Sequence, residues 1–320
     1  MAVNNRKIRI VIDTDAGIDD AEAILMALGH PHVIVEAITT VTGNIQVEQV
    51  NRNVQTVLDA AGKVIPVYSG AGLPLVEPWV GAGEFHLNDG LGDWEARPPC
   101  SPKLEAQPAA EALVRLAREN PGELTLVALG PMTNLALAIR LDPAFAQNIG
   151  RLVFMGGAAH AVGNTDRMAV EFNIGADPEA AHIVLNSFPR ATMLDWEVTL
   201  SHPIPWAQYD RLCALPTALA GTFRGITGNV TRLWRDKPGS TGHLLPDPLA
   251  MAVALEPELI LEQESRYVTV ELEGRHTRGQ TVVNYTLVDH GDPNVQVVKR
   301  VQMDGVLHLY EQMLCSGTSS

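Results

Sequence analysis

Four carboxylates crowd into eight residues at Asp13-Thr14-Asp15-Ala16-Gly17-Ile18-Asp19-Asp20, directly after the largely apolar run Ile8–Ile12. Carboxylates that converge repel one another unless a counter-charge stands between them, and the loop carries no Lys or Arg. A hard divalent cation answers that need, because Ca²⁺ takes carboxylate and carbonyl oxygens. Gly17 allows a sharp turn, so that both ends of the loop can reach one ion. A blander reading competes: Asp19 or Asp20 could cap the helix that follows, where a carboxylate satisfies free N–H groups. Capping leaves Asp13 and Asp15 unexplained. The spacing is not that of an EF-hand, whose ligands spread over twelve residues.

Further polar segments follow in order. They are Thr39-Thr40-Val41-Thr42-Gly43-Asn44, His86–Asp93 (HLNDGLGD), Leu129–Asn134 (LGPMTN), Met155-Gly156-Gly157, Glu171-Phe172-Asn173 and Asp247-Pro248. Together with Asp13–Ala21, which resembles the signature DTDPGIDDA, they resemble the inosine-uridine preferring nucleoside hydrolase family from residue 8 to about 255. Ala16 stands where proline is common, and the carboxylates are intact.

The resemblance implies a calcium-dependent hydrolase that cleaves the N-glycosidic bond of ribonucleosides, for purine or pyrimidine salvage. It implies Ca²⁺ held by Asp15, Asp20, the backbone carbonyl of Leu129, and Asp247. Asp247 could otherwise be an N-cap before Pro248-Leu249-Ala250. It implies that Asp19, Asn44, Glu171 and Asn173 hold the ribose hydroxyls, with Asn164 as a further contact. Carboxylates and amides suit a diol because they offer acceptors and donors at fixed angles. It implies further that Asp15 takes a proton from the attacking water, which the metal would orient, through a transition state of oxocarbenium character. Asp13 supports the loop from behind.

Three departures bear on the leaving base. Pro246 occupies the place where many relatives carry a histidine thought to protonate it. Leu87 stands where glycine is usual, and the run from Asn164 to Glu171 is one residue longer than the common spacing. His86 is the better-placed catalytic candidate, and His243 is a second. Trp234 could activate the base by stacking on it, or could be an ordinary half-buried tryptophan; Trp196 could also sit near the pocket.

These residues must be held by a scaffold. Short β-rich runs alternate with helical patterns: Ile8–Ile12, Val33–Thr42, Ile65–Ser69, Leu124–Leu129 and Arg151–Met155 read as strands. Residues 47–61, 109–119 and 134–140 read as helices. Such alternation predicts an α/β fold, an open, mostly parallel twisted sheet flanked by helices (Rossmann-like), with ligands beyond the strands' carboxyl ends. Tyr267–Glu273 and Thr281–Thr286 read as a β pair around Gly274, and Val306–Leu314 as a terminal helix. No linker or repeat divides the chain, which predicts one domain over 1–316 and a disordered tail over 317–320.

A chain of 320 residues with 46% hydrophobic content can bury a sizeable core. Its net charge of −14 argues against nucleic acid or anionic membrane as partner, since both need a basic surface. Cys100, Cys213 and Cys315 form no metal-binding spacing, and an odd number cannot all pair. No signal-peptide pattern or bilayer-length apolar run is present. The expectation is a cytoplasmic enzyme, homodimeric or homotetrameric, acting on a small ribonucleoside. Two rivals remain: a dehalogenase-like phosphatase, which also starts with aspartates two apart but lacks the later matches, and a non-catalytic calcium-dependent nucleoside binder, which Pro246 keeps open.

Overall fold

The strand β1 (Ile8–Thr14) is buried along its last five residues on both faces, the pattern of a central strand in a helix-covered parallel sheet. In chain order the others are β2 (Val33–Thr40), β3 (Val67–Ser69), β4 (Leu124–Ala128), β5 (Arg151–Met155) and β6 (Ala191–Leu194). Then come β7 (Ile204–Pro205), β8 (Gly242–His243), β9 (Ile260–Arg266), β10 (Val268–Val270), β11 (Thr281–Val283) and β12 (Val295–Val301). The computed structural model describes residues 7–286 and 288–316, so the expected tail lies outside the described residues.

Eight strands form one sheet in the order β3-β2-β1-β4-β5-β6-β12-β9. Every neighbouring pair is parallel except β12 with β9. The expected α/β architecture is therefore present. Its far edge differs from the sequence reading, because β12 and β9 extend the sheet beyond β6. The pair expected around Gly274 exists as β10 and β11, shorter than read, in a separate antiparallel ribbon. β2 ends at Thr40, and Val41-Thr42 already turn toward the site.

Strand order reverses at β1, which has β2 on one side and β4 on the other. Beyond the carboxyl ends of these two strands lies the crevice where such sheets bind ligands. Helices cover both faces, with one apolar core on each. α1 (Ile18–Gly29) follows β1, and α2 (Val47–Ala61) follows β2 and ends on Gly62 in the left-handed conformation. The helix Pro246–Leu255 packs against α1 and is buried from Asp247 to its end. A helix apolar all round can sit only inside the molecule. Its burial carries Asp247 to the start of α1. Among the described residues no helix is long and apolar enough to cross a membrane.

Candidate active site

Asp13 ends up fully buried between β1, β2 and β4. Its Oδ1 accepts from the Thr39 hydroxyl at 2.5 Å and from the Asn134 amide at 2.8 Å. Burial nevertheless pushes its carboxyl up to about 7. Asn134 also donates to the Thr40 carbonyl, so one amide ties the ends of β1 and β2 together. Asp13 works as a brace behind the loop.

Asp15 is buried, and its Oδ2 accepts the backbone N–H of Asn44 at 2.7 Å. Its Oδ1 is buried with no hydrogen-bond partner. Gly130 closes in so tightly that a Cβ there would lie 2.8 Å from that oxygen. Asp20 accepts from the Thr14 hydroxyl at 2.5 Å and from the Gly17 N–H at 2.8 Å. It therefore helps cap α1, accepting from the N-cap residue Gly17 while lying buried in the acidic loop. Asp19 keeps a buried, unpartnered Oδ1. Asp247 lies in the first turn of its helix rather than at the cap, which is Leu245 with no side-chain bond. The N-cap alternative for Asp247 is thus corrected, because Pro246 already begins the helix.

Carboxylate oxygens of Asp19, Asp20 and Asp247 lie within 4.8 Å of one another. Burial, then the neighbouring charge of Asp20, holds the carboxyls of Asp15 and Asp19 well above the ordinary range. Burial, then Asp19, does the same to Asp247. Among the described residues no Lys or Arg forms an ion pair with this group; His86 approaches Asp19 at 3.8 Å. Unpartnered buried oxygens, all hard donors and short of positive charge, fit a divalent cation.

Across the cavity Glu171 caps the helix Phe172–Ala176. Its oxygens accept from Asn173 N at 2.8 Å, Gly157 N at 2.9 Å and Ile174 N at 3.1 Å. Burial raises its carboxyl to about 7. The Asn173 amide donates to the Leu129 carbonyl at 2.7 Å, and Asn164 Oδ1 accepts from Phe172 N at 2.8 Å. His86 Nδ1 accepts the Ile18 N–H at 3.1 Å, and burial lowers the ring to about 4.

One cavity of about 720 Å³ is lined by Asp19, Asn44, His86, Leu129, Asn164, Glu171, Asn173, Trp234 and Asp247. Asp15 and Asp20 lie buried in the same loop. The fold thus brings together residues from positions 15 to 247. Trp234 stacks on Phe85, with centroids 5.2 Å apart, and Lys237 Nζ is 3.6 Å from its ring centre. Trp196, His243 and Pro246 also line the cavity. Reading the sequence alone passes over Phe85 and over Glu22, a wholly buried carboxylate that reaches the wall. The available signal was a lone charge amid Ala21, Ala23, Ile24, Leu25 and Met26.

A family model described as inosine-uridine preferring nucleoside hydrolase matches residues 10–308. The chain belongs to that family. It is a nucleoside hydrolase, which splits ribonucleosides into ribose and free base. It is 35% identical over 298 residues to the inosine-uridine preferring nucleoside hydrolase of Leishmania major, covering 92% of this chain and 94% of that protein. It is 37% identical over 307 residues to the pyrimidine-specific ribonucleoside hydrolase RihA of Salmonella arizonae, covering 95% and 97%. A solved inosine-guanosine nucleoside hydrolase superposes with a TM-score of 0.88 at 33% identity, covering 96% of this chain and 98% of that one. The phosphatase rival is thereby removed. Within this nucleoside hydrolase two departures have a backbone signature: Ala16 sits at φ +33° and Leu87 at φ +62°. Proline cannot reach a positive φ, so the loop conformation here requires the exchange at Ala16.

Proposed function

We propose that this nucleoside hydrolase uses one Ca²⁺, held by Asp15, Asp20, Asp247 and the Leu129 carbonyl, to hydrolyse ribonucleosides. The observation that carries the reading is the buried, unpartnered Oδ1 of Asp15, which feels the charges of Asp20 and Asp19, together with the convergence of Asp19, Asp20 and Asp247 oxygens within 4.8 Å of one another. When bound, the cation supplies positive charge that orients a ribose diol and acidifies water.

The protein's own groups account for the rest. Asn44 N fixes one oxygen of Asp15, leaving the other to take a proton from the attacking water. Asp19, Asn44, Glu171, Asn173 and Asn164 hold the ribose hydroxyls. Glu171 retains free lone pairs after accepting its backbone bonds, since a carboxylate offers about four acceptor sites. Buried carboxylates near the sugar stabilise the oxocarbenium-like transition state. His86 accepts through Nδ1, so its Nε2 carries the hydrogen. With the ring lowered to about 4, His86 serves as a neutral donor to the ribose rather than a store of protons. Phe85 and Trp234 form an apolar wall for the base. The names of the relatives divide between pyrimidine and purine, so base preference rests on this wall and not on likeness.

Three cysteines far apart in sequence, an odd number that cannot all pair within the chain, support a reducing, cytoplasmic setting, and the family resemblance supports a homodimer or homotetramer with one domain over residues 1–316. The acidic charge speaks for a small-molecule substrate and against nucleic acid or membrane. The reading is tested by scoring free ribose from a nucleoside panel, with wild type and Asp15→Asn in parallel. Release by wild type that stops in the variant and after chelation, and returns with Ca²⁺, supports it. Intact nucleosides together with Ca²⁺-dependent ribonucleoside binding in calorimetry mean that the protein is a binder only.

A further inference from the structure

Glu22 is a carboxylate with no exposure, on the apolar side of α1. An ionised group is buried at high cost unless it is paired and hydrogen-bonded. Here both needs are met by residues distant in sequence. His243 Nε2 lies 2.9 Å and 3.1 Å from the two Glu22 oxygens, and the Tyr310 hydroxyl donates to Oε2 at 2.5 Å. The β7–β8 bridge, where His243 pairs with Ile204, holds the His243 backbone. Tyr209 and Phe223 pack around the ring, with centroids 5.1 Å and 6.1 Å away. Such a histidine has one orientation.

Two further facts give the pair a use. Glu22 and His243 both line the cavity that holds Asp19, Asn44 and Asp247. Among the described residues no protein group hydrogen-bonds to His243 Nδ1, because only Nε2 is engaged. The position next to Asp247 is Pro246, which cannot donate a proton. We infer that His243, oriented by Glu22, is the catalytic acid that protonates the departing base.

The step rests on the hydrolase reading. Water oxygen bonds to the anomeric carbon and gives its proton to Asp15. The C1′–N bond breaks with its electron pair on the base, which takes the Nδ1 proton of His243. Asp15 returns its proton to solvent and His243 regains one, so the sum is nucleoside plus water to ribose plus base. Glu22 balances the charge of the doubly protonated ring and fixes its tilt; it is a positioning residue. Carboxylate-held histidines of this kind recur as proton donors.

The test compares substrates whose leaving groups differ in their need for a proton. Uridine and inosine must release uracil and hypoxanthine, poor leaving groups unless protonated, whereas 4-nitrophenyl β-D-ribofuranoside releases a stable phenolate. His243→Asn is expected to lower kcat on the nucleosides by about 10²–10³-fold and to leave hydrolysis of the nitrophenyl riboside within about threefold. Glu22→Gln keeps the shape and is expected to lower the same nucleoside-to-nitrophenyl ratio by about tenfold, mainly through kcat. Equal losses on both substrates, or no loss on either, overturn the inference. Should His243→Asn fail to fold, an unchanged ratio in Glu22→Gln overturns it equally. If wild type cleaves none of these substrates, the hydrolase reading fails instead.

Discussion

The side-chain amide of Asn173 donates to the Leu129 carbonyl at 2.7 Å, tying the end of β4 to the helix that follows the β5 loop. The same nitrogen reaches the Met155 carbonyl at 3.2 Å, so one side chain sets the spacing of two strand ends at the cavity floor. Asn173→Asp replaces that donor with an acceptor facing two carbonyls. Buried and unable to bond, it is expected to cost about 2–3 kcal/mol of stability and to reduce hydrolysis at least a hundredfold. Thermal melting and ribose release measure the two effects. An active variant of unchanged melting temperature would remove Asn173 from the site.

Metal removal gives a second prediction. The carboxyl of Asp247 is held high by burial and then by Asp19, Asp20 and Asp15, a strain that a cation relieves. Chelation is expected to lower the melting temperature, and Ca²⁺ at a hundredfold over its Kd to restore about 3 kcal/mol. Asp247→Asn reverses the balance: without metal it melts above wild type, because one repelling charge is gone, while its gain from Ca²⁺ shrinks. Calorimetric scans with and without Ca²⁺ check both signs. A variant that responds to Ca²⁺ as wild type does would take Asp247 out of the ligand set.

Much of this site is legible in the amino-acid sequence, for a physical reason. The loop Asp13–Asp20 concentrates its message in eight residues, and strand–helix alternation tells where the loop must lie. What stays hidden depends on contacts made far along the chain. Glu22 looks like a stray charge on an apolar helix until Tyr310 and His243 are seen to meet it. β9 (ILEQESR) alternates too weakly to announce a strand, because it is an exposed edge that pairs on one side only. The brace on Asp13 is equally silent, since Thr39 and Asn134 resemble ordinary strand-end and helix-start residues.

The raised carboxyl of Glu171 predicts a pH dependence of stability. Its ordinary value is 4.5 and the folded value is about 7, with burial as the largest cause. A folded value above the unfolded one means that the folded state binds the proton more tightly. The contribution is full below about pH 4.5 and is lost as pH rises through about 7. It is on the order of 3 kcal/mol at most. Glu171→Gln has no such proton, so the stability gap between variant and wild type should narrow or reverse from pH 4 to pH 8. Melting curves across that range decide; a pH-independent gap would show that Glu171 does not titrate there.

Leu87 follows directly on His86 and holds φ +62° with ψ −163°, a region that a side chain occupies at a cost of about 1–3 kcal/mol. Glycine enters it without strain but loses about 0.5–1 kcal/mol more backbone entropy on folding. The difference predicts that Leu87→Gly stabilises the protein by about 1 kcal/mol, visible as a higher melting temperature. The strain is local to the turn that presses His86 Nδ1 onto the Ile18 N–H. Relaxing it should loosen the ring and raise KM for nucleosides severalfold, with kcat changed less. A drop in stability would mean that the Leu87 side chain contributes more by packing than its backbone costs.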